Sequence, residues 1–391
     1  MAEASSALHS RYPAISDLKK RARRRVPHFV WEYLDSATGT EATLLRNRAA
    51  LDRILFEPSI LHGEIEPRVG TTLLGRDYAL PIGMSPVGMS GLIWPGAEVS
   101  LARAATAQRL PYCISTVAAA RPEEVGPHLD GRGWFQIYPP RDPDIRRGML
   151  SRVKAAGFDT LVLTVDVPAP SRRERQTRGG LVTPPKLTPR LLAQVLRCPA
   201  WALGTYRRGM PRMRLIDDYA GDLAKRGPLP STAHVGYLLR TSPDWDYLKA
   251  LRDMWDGPLV VKGVLRPEDC ARLEAEGADA IWVSNHAGRQ FDGAPATIEV
   301  LPAIRAATQK PVIFDSGIEG GLDVLRALAL GADFVMLGRA WHYALAALGE
   351  AGPAHLVDMI KKDIISNMNQ LGAAQYSVLA EKIWRSDGNL R

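Results

Sequence analysis

The sequence predicts a (β/α)8 TIM barrel that carries an N-terminal helical extension and a long insertion after the fourth barrel strand. From residue 80 onward, short apolar runs alternate with amphipathic helical stretches. Runs of this length that are rich in Val, Ile and Leu and end at turn residues are typical of buried parallel strands. Eight such units favour a closed barrel, and their runs are 80–88, 111–116, 134–138, 160–166, 258–263, 280–286, 311–317 and 334–339.

The spacing of these runs locates the insertion and the domain limits. Six of the seven steps between successive run ends span 22 to 31 residues, which fits one strand and one helix, whereas the step after residue 166 spans 97. We therefore expect the N-terminal extension over 1–79 and the barrel over 80–371, with the insertion at about 172–240. Residues 372–391 are expected to form a C-terminal tail.

The helices between the runs have local signals of their own. The stretch 98–108 carries apolar residues at mostly helical spacing. Pro267 and the acidic residues beside it open a second helix, because Pro and carboxylates favour the first helical turn. The stretch 323–330 ends before Gly331, a typical C-terminal stop.

The positive charge of the chain is concentrated in the insertion. The whole chain has a formal net charge of +8, while 172–226 holds 13 Lys and Arg residues against four Asp and Glu residues. Charge of this sign favours a nucleic acid, a membrane surface or an anionic substrate as partner. An amphipathic stretch at 191–196 and Trp201 add the composition of a membrane-interface segment. A solvated active-site lid explains the same composition, and both interpretations stay open.

A second basic run, Lys-Lys-Arg-Ala-Arg-Arg-Arg at 19–25, is typical of a nuclear-localisation or nucleic-acid patch. The same residues also fit an amphipathic helix. Ser16 would cap it, and Leu18, Ala22 and Val26 would form its apolar stripe while the arginines face solvent. We favour the helix and predict no nucleic-acid binding.

Cysteine and histidine patterns indicate the compartment and exclude common metal sites. The three cysteines form no CxxC pair, which suits a reducing compartment. The N-terminus has no apolar signal segment, and no run has the length of a transmembrane helix. We expect a cytoplasmic protein, with peripheral contact to the cytoplasmic face of the inner membrane as a further expectation. Without an HExxH pattern no metal site is predicted.

Polar side chains follow the predicted strands, where barrel enzymes place their chemistry. His286 ends one strand and is followed three residues later by Arg289, while Asp166 ends another. This pattern predicts a general base beside an anion clamp. Gly317 and Gly338-Arg339 on the last two units predict a phosphate site. Neither GxGxxG nor GxxxxGK[ST] occurs, which disfavours a Rossmann or Walker site.

Motifs at these strand ends resemble those of a known enzyme family. They are SNHxxRQ, FQIY, LTVD, VKG and DSG…ALALGAD…LGR, within a resemblance that extends from about Ile15 to about Gly372. The chain is similar to the FMN-dependent α-hydroxy-acid dehydrogenases and oxidases, a family that includes glycolate oxidase and mandelate dehydrogenase. The segments 85–88, 115–117 and 255–264 are most similar to the quinone- or cytochrome-linked L-lactate dehydrogenases in it.

The resemblance implies roles for the substrate-facing residues. His286 would accept the proton when a 2-hydroxy acid is oxidised, and Asp166 would orient its imidazole. Tyr138 would bind the substrate oxygen. The residues implied to hold the substrate carboxylate are Arg289, Arg173 and Tyr33.

The resemblance also implies an FMN site. Lys262 would lie beside the N1–C2=O edge of the flavin, where negative charge develops on reduction. The ring and ribityl chain would contact Val87, Gly88, Ser115, Gln136, Thr164 and Ser284. The ribityl end and phosphate would contact Asp315, Gly317, Gly338 and Arg339. Two positions depart from the family motifs: Glu319-Gly320 replaces an arginine, and Val87-Gly88 replaces the Thr-Ala of many oxidases.

The expected function is oxidation of a small, lactate-like L-2-hydroxy acid to the 2-oxo acid, with electrons passing through FMN to a quinone or cytochrome. One alternative is an oxidase that uses O₂ and forms hydrogen peroxide. A barrel with another use of FMN, as in isoprenoid isomerases, and a non-catalytic basic barrel that binds nucleic acid are more remote. The resemblance further implies a homo-oligomer, by analogy a tetramer.

Overall fold

A computed structural model describes residues 2–181, 188–220 and 241–385. Eight parallel strands form a closed barrel in which each strand pairs with the next and the last pairs with the first. The prediction of a (β/α)8 barrel is therefore confirmed. After a short antiparallel hairpin, β1 (Thr71–Leu73) and β2 (Arg76–Tyr78), the barrel strands are β3 (Ile82–Met84), β4 (Tyr112–Ser115), β5 (Gly133–Ile137), β6 (Thr160–Thr164), β7 (Leu259–Val264), β8 (Ala280–Val283), β9 (Val312–Phe314) and β10 (Phe334–Leu337).

Helices follow the strands around the outside of the barrel. Each predicted helix is present within about two residues of its expected start, except that the predicted helix at Pro267 begins as a 3₁₀ turn, Pro267–Asp269. The helices that accompany the barrel are α5 (Ser90–Ile93), α6 (Ala97–Ala107), α7 (Pro122–Val125), α8 (Pro143–Ala155), α13 (Trp245–Met254), α14 (Cys270–Ala275), α15 (Thr297–Ala306), α16 (Gly321–Ala329), α17 (Arg339–Leu348) and α18 (Ala351–Gln370).

Four helices precede the barrel: α1 (Ala2–Arg11), α2 (Ile15–Arg25), α3 (His28–Asp35) and α4 (Ala42–Asp52). Leu18, Ala22 and Val26 are buried, as the apolar stripe predicted, and α2 packs against α17. The predicted cap at Ser16 is wrong. The helix begins at Ile15, and the backbone N–H of Ala14 donates to Asp17 because that carboxylate, three residues on, reaches back to the helix end.

The barrel is closed at the amino ends of its strands and open at the carboxyl ends. Large side chains fill its lower interior, and the β1–β2 hairpin covers that end with Leu73 and Tyr78. Trp134, Trp282 and Phe334 are fully buried in this cluster. A packed lower interior leaves the carboxyl ends of the strands as the place where a ligand can enter.

The insertion contributes four helices to the described part of the chain. They are α9 (Glu174–Gly179), α10 (Pro189–Leu196), α11 (Pro199–Arg208) and α12 (Arg214–Ala220). The expectation that Trp201 belongs to a membrane-facing surface is wrong, because Trp201 is buried and its Nε1–H donates to Leu92 O. Residues 182–187 and 221–240 of the insertion lie outside the described residues. Among the described helices, none combines the length and apolar character needed to cross a bilayer.

Candidate active site at the carboxyl end of the barrel

A cavity of about 620 Å³ opens at the carboxyl ends of the barrel strands. Helices α2 to α4, the first turn of α17 and the start of the insertion complete its wall. Of the predicted site residues, twelve line this cavity: Tyr33, Val87, Gly88, Tyr138, Arg173, Lys262, His286, Arg289, Asp315, Gly317, Gly338 and Arg339. The other five are at the same strand ends, within or just after β4, β5, β6 and β8: Ser115, Gln136, Thr164, Asp166 and Ser284.

His286 and Asp166 form a hydrogen-bonded pair at the ends of two different strands. The Nδ1 of His286 lies 3.1 and 3.2 Å from the two carboxylate oxygens of Asp166. Burial lowers the pKa of His286, and the charges of Lys262 and Arg173 lower it further, although Asp166 opposes them. The imidazole is therefore neutral near pH 7, with Nδ1–H directed at Asp166 and Nε2 able to accept a proton.

The backbone at His286 is held in an unusual conformation. His286 and Ala287 have φ values of +56° and +52°, in the left-handed region that side chains other than glycine seldom adopt. The N–H of His286 donates to Ser284 Oγ, and that of Ala287 donates to Ser316 Oγ, each at 3.1 Å. Gly288 completes the turn against α4, where a Cβ would lie 2.8 Å from Leu44 N. These contacts hold a strained turn, which is a common feature of active sites.

A second close approach brings the end of β7, just after Lys262, against Asp166, which follows the neighbouring strand β6. The β7–β8 register shifts between Lys262 and Val264, and the intervening Gly263 has a φ of +109°. A Cβ at Gly263 would lie 2.6 Å from the Cβ of Asp166, so only glycine fits here. The glycine of the VKG motif therefore lets the Asp166 backbone pass close to the end of β7.

Arg289 is a partly buried cation held by backbone carbonyl oxygens. Its guanidinium donates to the carbonyl oxygens of Tyr33 at 2.9 Å and Leu34 at 3.2 Å, and also to that of Ser36. Within the described ranges, no Asp or Glu forms an ion pair with Arg289. Burial lowers its pKa to about 9, and the nearby charge of Arg173 adds to this effect. A partly buried guanidinium without an anionic partner is a strong site for a carboxylate.

Arg173 and two tyrosines surround this cation in the cavity wall. The Arg173 Nε–H donates to Ser171 Oγ at 3.0 Å, and its backbone N–H donates to Thr38 Oγ1 at 3.3 Å. Tyr33 donates its hydroxyl to Gly88 O at 2.8 Å, and the Arg289 guanidinium lies over the Tyr33 ring at 5.8 Å. Tyr138 is fixed through its backbone N–H, which donates to Thr116 Oγ1. The cavity wall therefore places two cations and two tyrosine side chains around the space for one small anion.

Lys262 is a buried charge with acidic partners. Its Nζ donates to Ser284 Oγ at 2.8 Å and lies 3.5 Å from Asp315 Oδ2. Burial lowers the pKa of Lys262, but the carboxylates of Asp315 and Asp166 outweigh it, so that the pKa is raised overall. Asp315 also accepts from Trp282 Nε1 at 3.0 Å. Lys262 therefore stays charged at the floor of the cavity.

Two buried polar groups beside the cavity have no hydrogen-bond partner among the described residues. Gln136 accepts from Ser115 Oγ through Oε1, yet its buried Nε2 has no hydrogen-bond acceptor. The buried Oγ of Ser85, which lines the cavity, also has no partner. Buried donors are almost always satisfied in proteins, so these groups fit a bound polar molecule.

Two glycines and one arginine that follow the last two strands build an anion site at one end of the cavity. Gly338 precedes α17, whose first residue is Arg339, so backbone N–H groups and a positive side chain meet there. Gly317 has a φ of +93°, and a Cβ there would lie 2.9 Å from Leu51. The Arg339 guanidinium donates to Asp35 O at 3.2 Å. This end of the cavity suits a phosphate.

Several residues of the cavity wall were not predicted from the sequence. Lys19 and Arg48 line it from α2 and α4, and Tyr343 lines it one turn after Arg339. Lys19 belongs to the basic run at 19–25, whose charged residues look like part of a solvent-facing cluster in the sequence. Strand-end patterns could not identify these residues, because they reach the cavity only when the N-terminal helices pack over the barrel.

The fold and the site define a barrel enzyme that acts on a small anion beside a bound, phosphate-bearing cofactor. Residues 22–386 match the model of the FMN-dependent dehydrogenases, and the chain belongs to that family. It is therefore an oxidoreductase whose cofactor is FMN. The unpaired Nε2 of Gln136, the charged Lys262 and the anion site at Gly338-Arg339 fit the polar ring edge and the phosphate of that cofactor.

Individual relatives and solved structures agree with this assignment. The L-lactate dehydrogenase of Ectopseudomonas mendocina (strain ymp) is 41% identical over 366 residues, which cover 92% of this chain and 95% of that protein. The L-lactate dehydrogenase of Stenotrophomonas maltophilia (strain K279a) is 40% identical with the same coverage. A crystal structure of (S)-mandelate dehydrogenase, described as a monotopic membrane protein, has a TM-score of 0.89 at 33% identity and covers 95% of this chain and 99% of that one. A mandelate oxidase structure has a TM-score of 0.77 at 32% identity, with coverage of 94% and 97%.

Proposed function

We propose that this enzyme oxidises a small, lactate-like L-2-hydroxy acid to the 2-oxo acid and passes the electrons through FMN to a quinone or cytochrome. One observation carries the proposal. The neutral His286, hydrogen-bonded to Asp166, shares a cavity with the guanidinium of Arg289, which has no acidic partner in the described chain. A base beside an unpaired, partly buried cation suits a substrate that carries both a hydroxyl group and a carboxylate. The lactate dehydrogenases at 40 to 41% identity support a short side chain.

Arg289 and Arg173 bind the substrate carboxylate, and Tyr33 assists them when its hydroxyl exchanges the hydrogen bond to Gly88 O for one to the substrate. Carbonyl oxygens of Tyr33 and Leu34 fix the Arg289 guanidinium before substrate arrives, so little side-chain freedom is lost on binding. Tyr138 donates its hydroxyl to the oxygen on C2. These contacts fix the C2 carbon in one orientation, and such positioning accounts for a large part of catalytic rate enhancement.

Through Nε2, His286 accepts the proton that the 2-hydroxy acid loses on oxidation. Asp166 stabilises the imidazolium that results. The carboxylate is largely buried, with its side chain 13% exposed, and it is hydrogen-bonded to Nδ1, so it holds the correct tautomer as well as the positive charge. Bound FMN supplies the two-electron acceptor for this oxidation. Lys262 would stabilise negative charge that develops on the bound flavin, since its ammonium group stays charged despite burial.

The remaining site residues hold the cofactor in this proposal. Gln136 would donate its Nε2–H to the ring, with Ser115, Thr164 and Ser284 nearby at the strand ends. The backbone at Val87 and Gly88 would lie against the ring. The ribityl chain and phosphate would be held by Asp315, Gly317, Gly338 and Arg339, all of which line the cavity.

Anaerobic mixing of the yellow protein with a panel of L-2-hydroxy acids tests the activity. We expect L-lactate or a close homologue to bleach the flavin absorbance, and the proposal fails if no member of the panel does so. His286→Ala should keep the flavin spectrum and slow bleaching by about 10²- to 10⁴-fold, because the proton acceptor is lost. Rapid bleaching by this variant would contradict the role of His286.

The electron acceptor is tested separately with the reduced enzyme. A dehydrogenase should pass electrons to a quinone analogue or a redox dye much faster than to O₂. A peroxide yield that matches substrate consumption in air would instead indicate an oxidase. Val87-Gly88 lies in the wall of the same cavity and is the place to look for the structural origin of either outcome.

A membrane-bound acceptor is supported by the surface of the insertion. Helices α10 and α11 expose Leu192, Leu196 and Tyr206, the last to 86%. Arg190, Arg197, Arg207 and Arg208 lie on the same two helices or directly after them. Exposed apolar residues among arginines suit the surface of an anionic membrane. We propose that this surface docks the enzyme on the cytoplasmic face of the inner membrane.

Point substitutions test this docking better than deletion of the insertion, since Gln194 accepts from Phe29 N and Trp201 is buried. Wild-type protein should sediment with vesicles that contain phosphatidylglycerol. The combined change Leu192→Ser, Leu196→Ser and Tyr206→Ser should weaken this binding by about tenfold or more while substrate still bleaches the flavin. Ile60→Ser with Leu61→Ser, which alters exposed apolar residues elsewhere, is the control. If the wild type ignores these vesicles, the insertion is only a lid.

A further inference from the structure

The phosphate end of the cavity contains a carboxylate that opposes an anionic ligand. Glu319 lies two residues after Gly317 and lines the same cavity. Its backbone N–H donates to Asp323, but among the described residues no Lys or Arg forms an ion pair with its exposed side chain. An unpaired carboxylate near a phosphate dianion lowers the affinity for that dianion. The site therefore needs a compensating cation from another element.

Arg48 of α4 is near this end of the cavity but its charge is already used. Its guanidinium donates to both carboxylate oxygens of Asp52, to both of Asp323 and to Gly317 O. A guanidinium has five N–H donors, so none is left for a further anion. Two carboxylates also neutralise its charge. Arg48 therefore holds the loop that follows β9 rather than the phosphate itself.

Lys19 of α2 has both the position and the donors that Arg48 lacks. It lines the cavity, and its Nζ lies 2.8 Å from Asp35 Oδ1 and 5.6 Å from the ring of Tyr343, one turn after Arg339. Asp35 uses one of its three N–H donors, which leaves two. Asp35 also has a second cation, Arg175 at 3.0 Å, and its backbone oxygen accepts from Arg339. Lys19 and Arg339 thus approach the same end of the cavity from two helices.

We propose that Lys19 is a phosphate-binding residue of the FMN site, that it supplies the second cation beside Arg339, and that Glu319 weakens this site. The phosphate charge is then balanced from the N-terminal helices rather than from the loop after β9. This assignment depends on the FMN cofactor and not on the identity of the hydroxy acid. It can therefore fail while the proposed oxidation stands, and the reverse is equally possible.

Paired titrations of the flavin-free, full-length chain with FMN and with riboflavin test the assignment, since the two ligands differ only in the phosphate. Flavin fluorescence gives both dissociation constants, and their ratio reports the phosphate contribution alone. Lys19→Met should weaken FMN binding by about tenfold or more and change riboflavin binding little. Glu319→Gln should strengthen FMN binding by about threefold or more. Lys19→Arg should keep the wild-type ratio.

A neighbouring lysine and a double variant supply the controls. Lys20 lies on the same helix with its side chain 74% exposed, so Lys20→Met should leave the ratio unchanged. Glu319→Arg should restore much of the FMN affinity that Lys19→Met removes. An unchanged ratio of the two dissociation constants in Lys19→Met would overturn the proposal. If both affinities fall equally, Lys19 only supports Asp35. If Lys19→Met fails to fold, Glu319→Gln still decides, because an unchanged ratio there contradicts the opposing charge.

Discussion

At the scale of single residues, the site works through charges whose environments differ although they are close together. His286 is neutral because burial and two neighbouring cations lower its pKa. Burial raises the pKa of Asp166, but His286 and Lys262 lower it by more, so that the carboxylate stays ionised. Lys262 keeps its proton because two carboxylates face it. The site therefore combines a neutral base, an anion and a cation at neighbouring strand ends. Acid–base chemistry requires neighbouring groups to keep such different protonation states.

The lowered pKa of His286 predicts the pH dependence of flavin reduction. The base must be unprotonated to act, so the rate should rise with pH through the His286 pKa, with a midpoint below the usual value near 6.5. Asp166→Asn removes the charge that raises this pKa, which should move the midpoint to still lower pH. The plateau rate should fall by about 10²- to 10⁴-fold because the tautomer is no longer held.

Anaerobic stopped-flow reduction across pH measures both effects. Asp256→Asn changes an exposed carboxylate that pairs with Lys154 outside the cavity, so its profile should match that of the wild type. A midpoint that moves to higher pH in Asp166→Asn would show that Asp166 does not set the protonation of His286.

At the scale of elements, α3 connects the insertion to the substrate site. Arg175 of α9 bonds Glu32 at 2.7 Å, Glu41 at 2.9 Å and Asp35 at 3.0 Å. The carbonyl oxygens at the end of α3 and just after it hold the guanidinium of Arg289. Carboxylate hydrogen bonds raise the pKa of Arg175 although burial lowers it. The start of the insertion is therefore tied to the helix end that positions the substrate-binding arginine.

Replacement of Arg175 by methionine should weaken both stability and substrate binding. Three carboxylates would lose their shared cation, which costs about 2 kcal/mol for a group this partly exposed. The α3 end would then hold Arg289 less firmly, and the Michaelis constant for the hydroxy acid should rise more than kcat falls. Urea unfolding and steady-state kinetics measure the two effects.

Arg172→Met is the matched control for this prediction. Arg172 lies three residues earlier in the same segment with its side chain 86% exposed and a single 3.6 Å contact to Glu174. It should leave both the unfolding midpoint and the Michaelis constant unchanged. A loss of stability in Arg175→Met without any rise in the Michaelis constant would separate the insertion from the substrate site.

At the scale of the whole molecule, one end of the barrel is packed and the other is functional. The β1–β2 hairpin and the buried tryptophans close the amino ends of the strands. The N-terminal helices and the insertion surround the carboxyl ends, where the cavity lies. The limits predicted for the extension, the barrel and the C-terminal tail stay predictions, as do the tetramer and the cytoplasmic location. The N-terminal helices and the basic insertion thus surround the end of the barrel at which the candidate active site lies.

The barrel and the core of the site could be read from the sequence because both depend on local patterns. Buried parallel strands require continuous apolar runs, and all eight runs coincide with strands. The carboxyl ends of such strands meet at one rim, so His286, Asp166 and Lys262 could be grouped before any coordinates were known. The resemblance of their motifs to a family then identified the cofactor.

Only the tertiary structure decided what lies over that rim. The burial of Trp201, the carbonyl oxygens that hold Arg289 and the position of Lys19 all depend on how helices distant in sequence pack together. The cap of α2 was mispredicted for a smaller reason, since the helix begins two residues earlier than expected, with Ala14 rather than Ser16 at the N-cap position and Asp17 in the first turn. Periodicity fixes which residues share a face of an element, but docking between elements decides which charges meet, because those contacts join residues hundreds of positions apart.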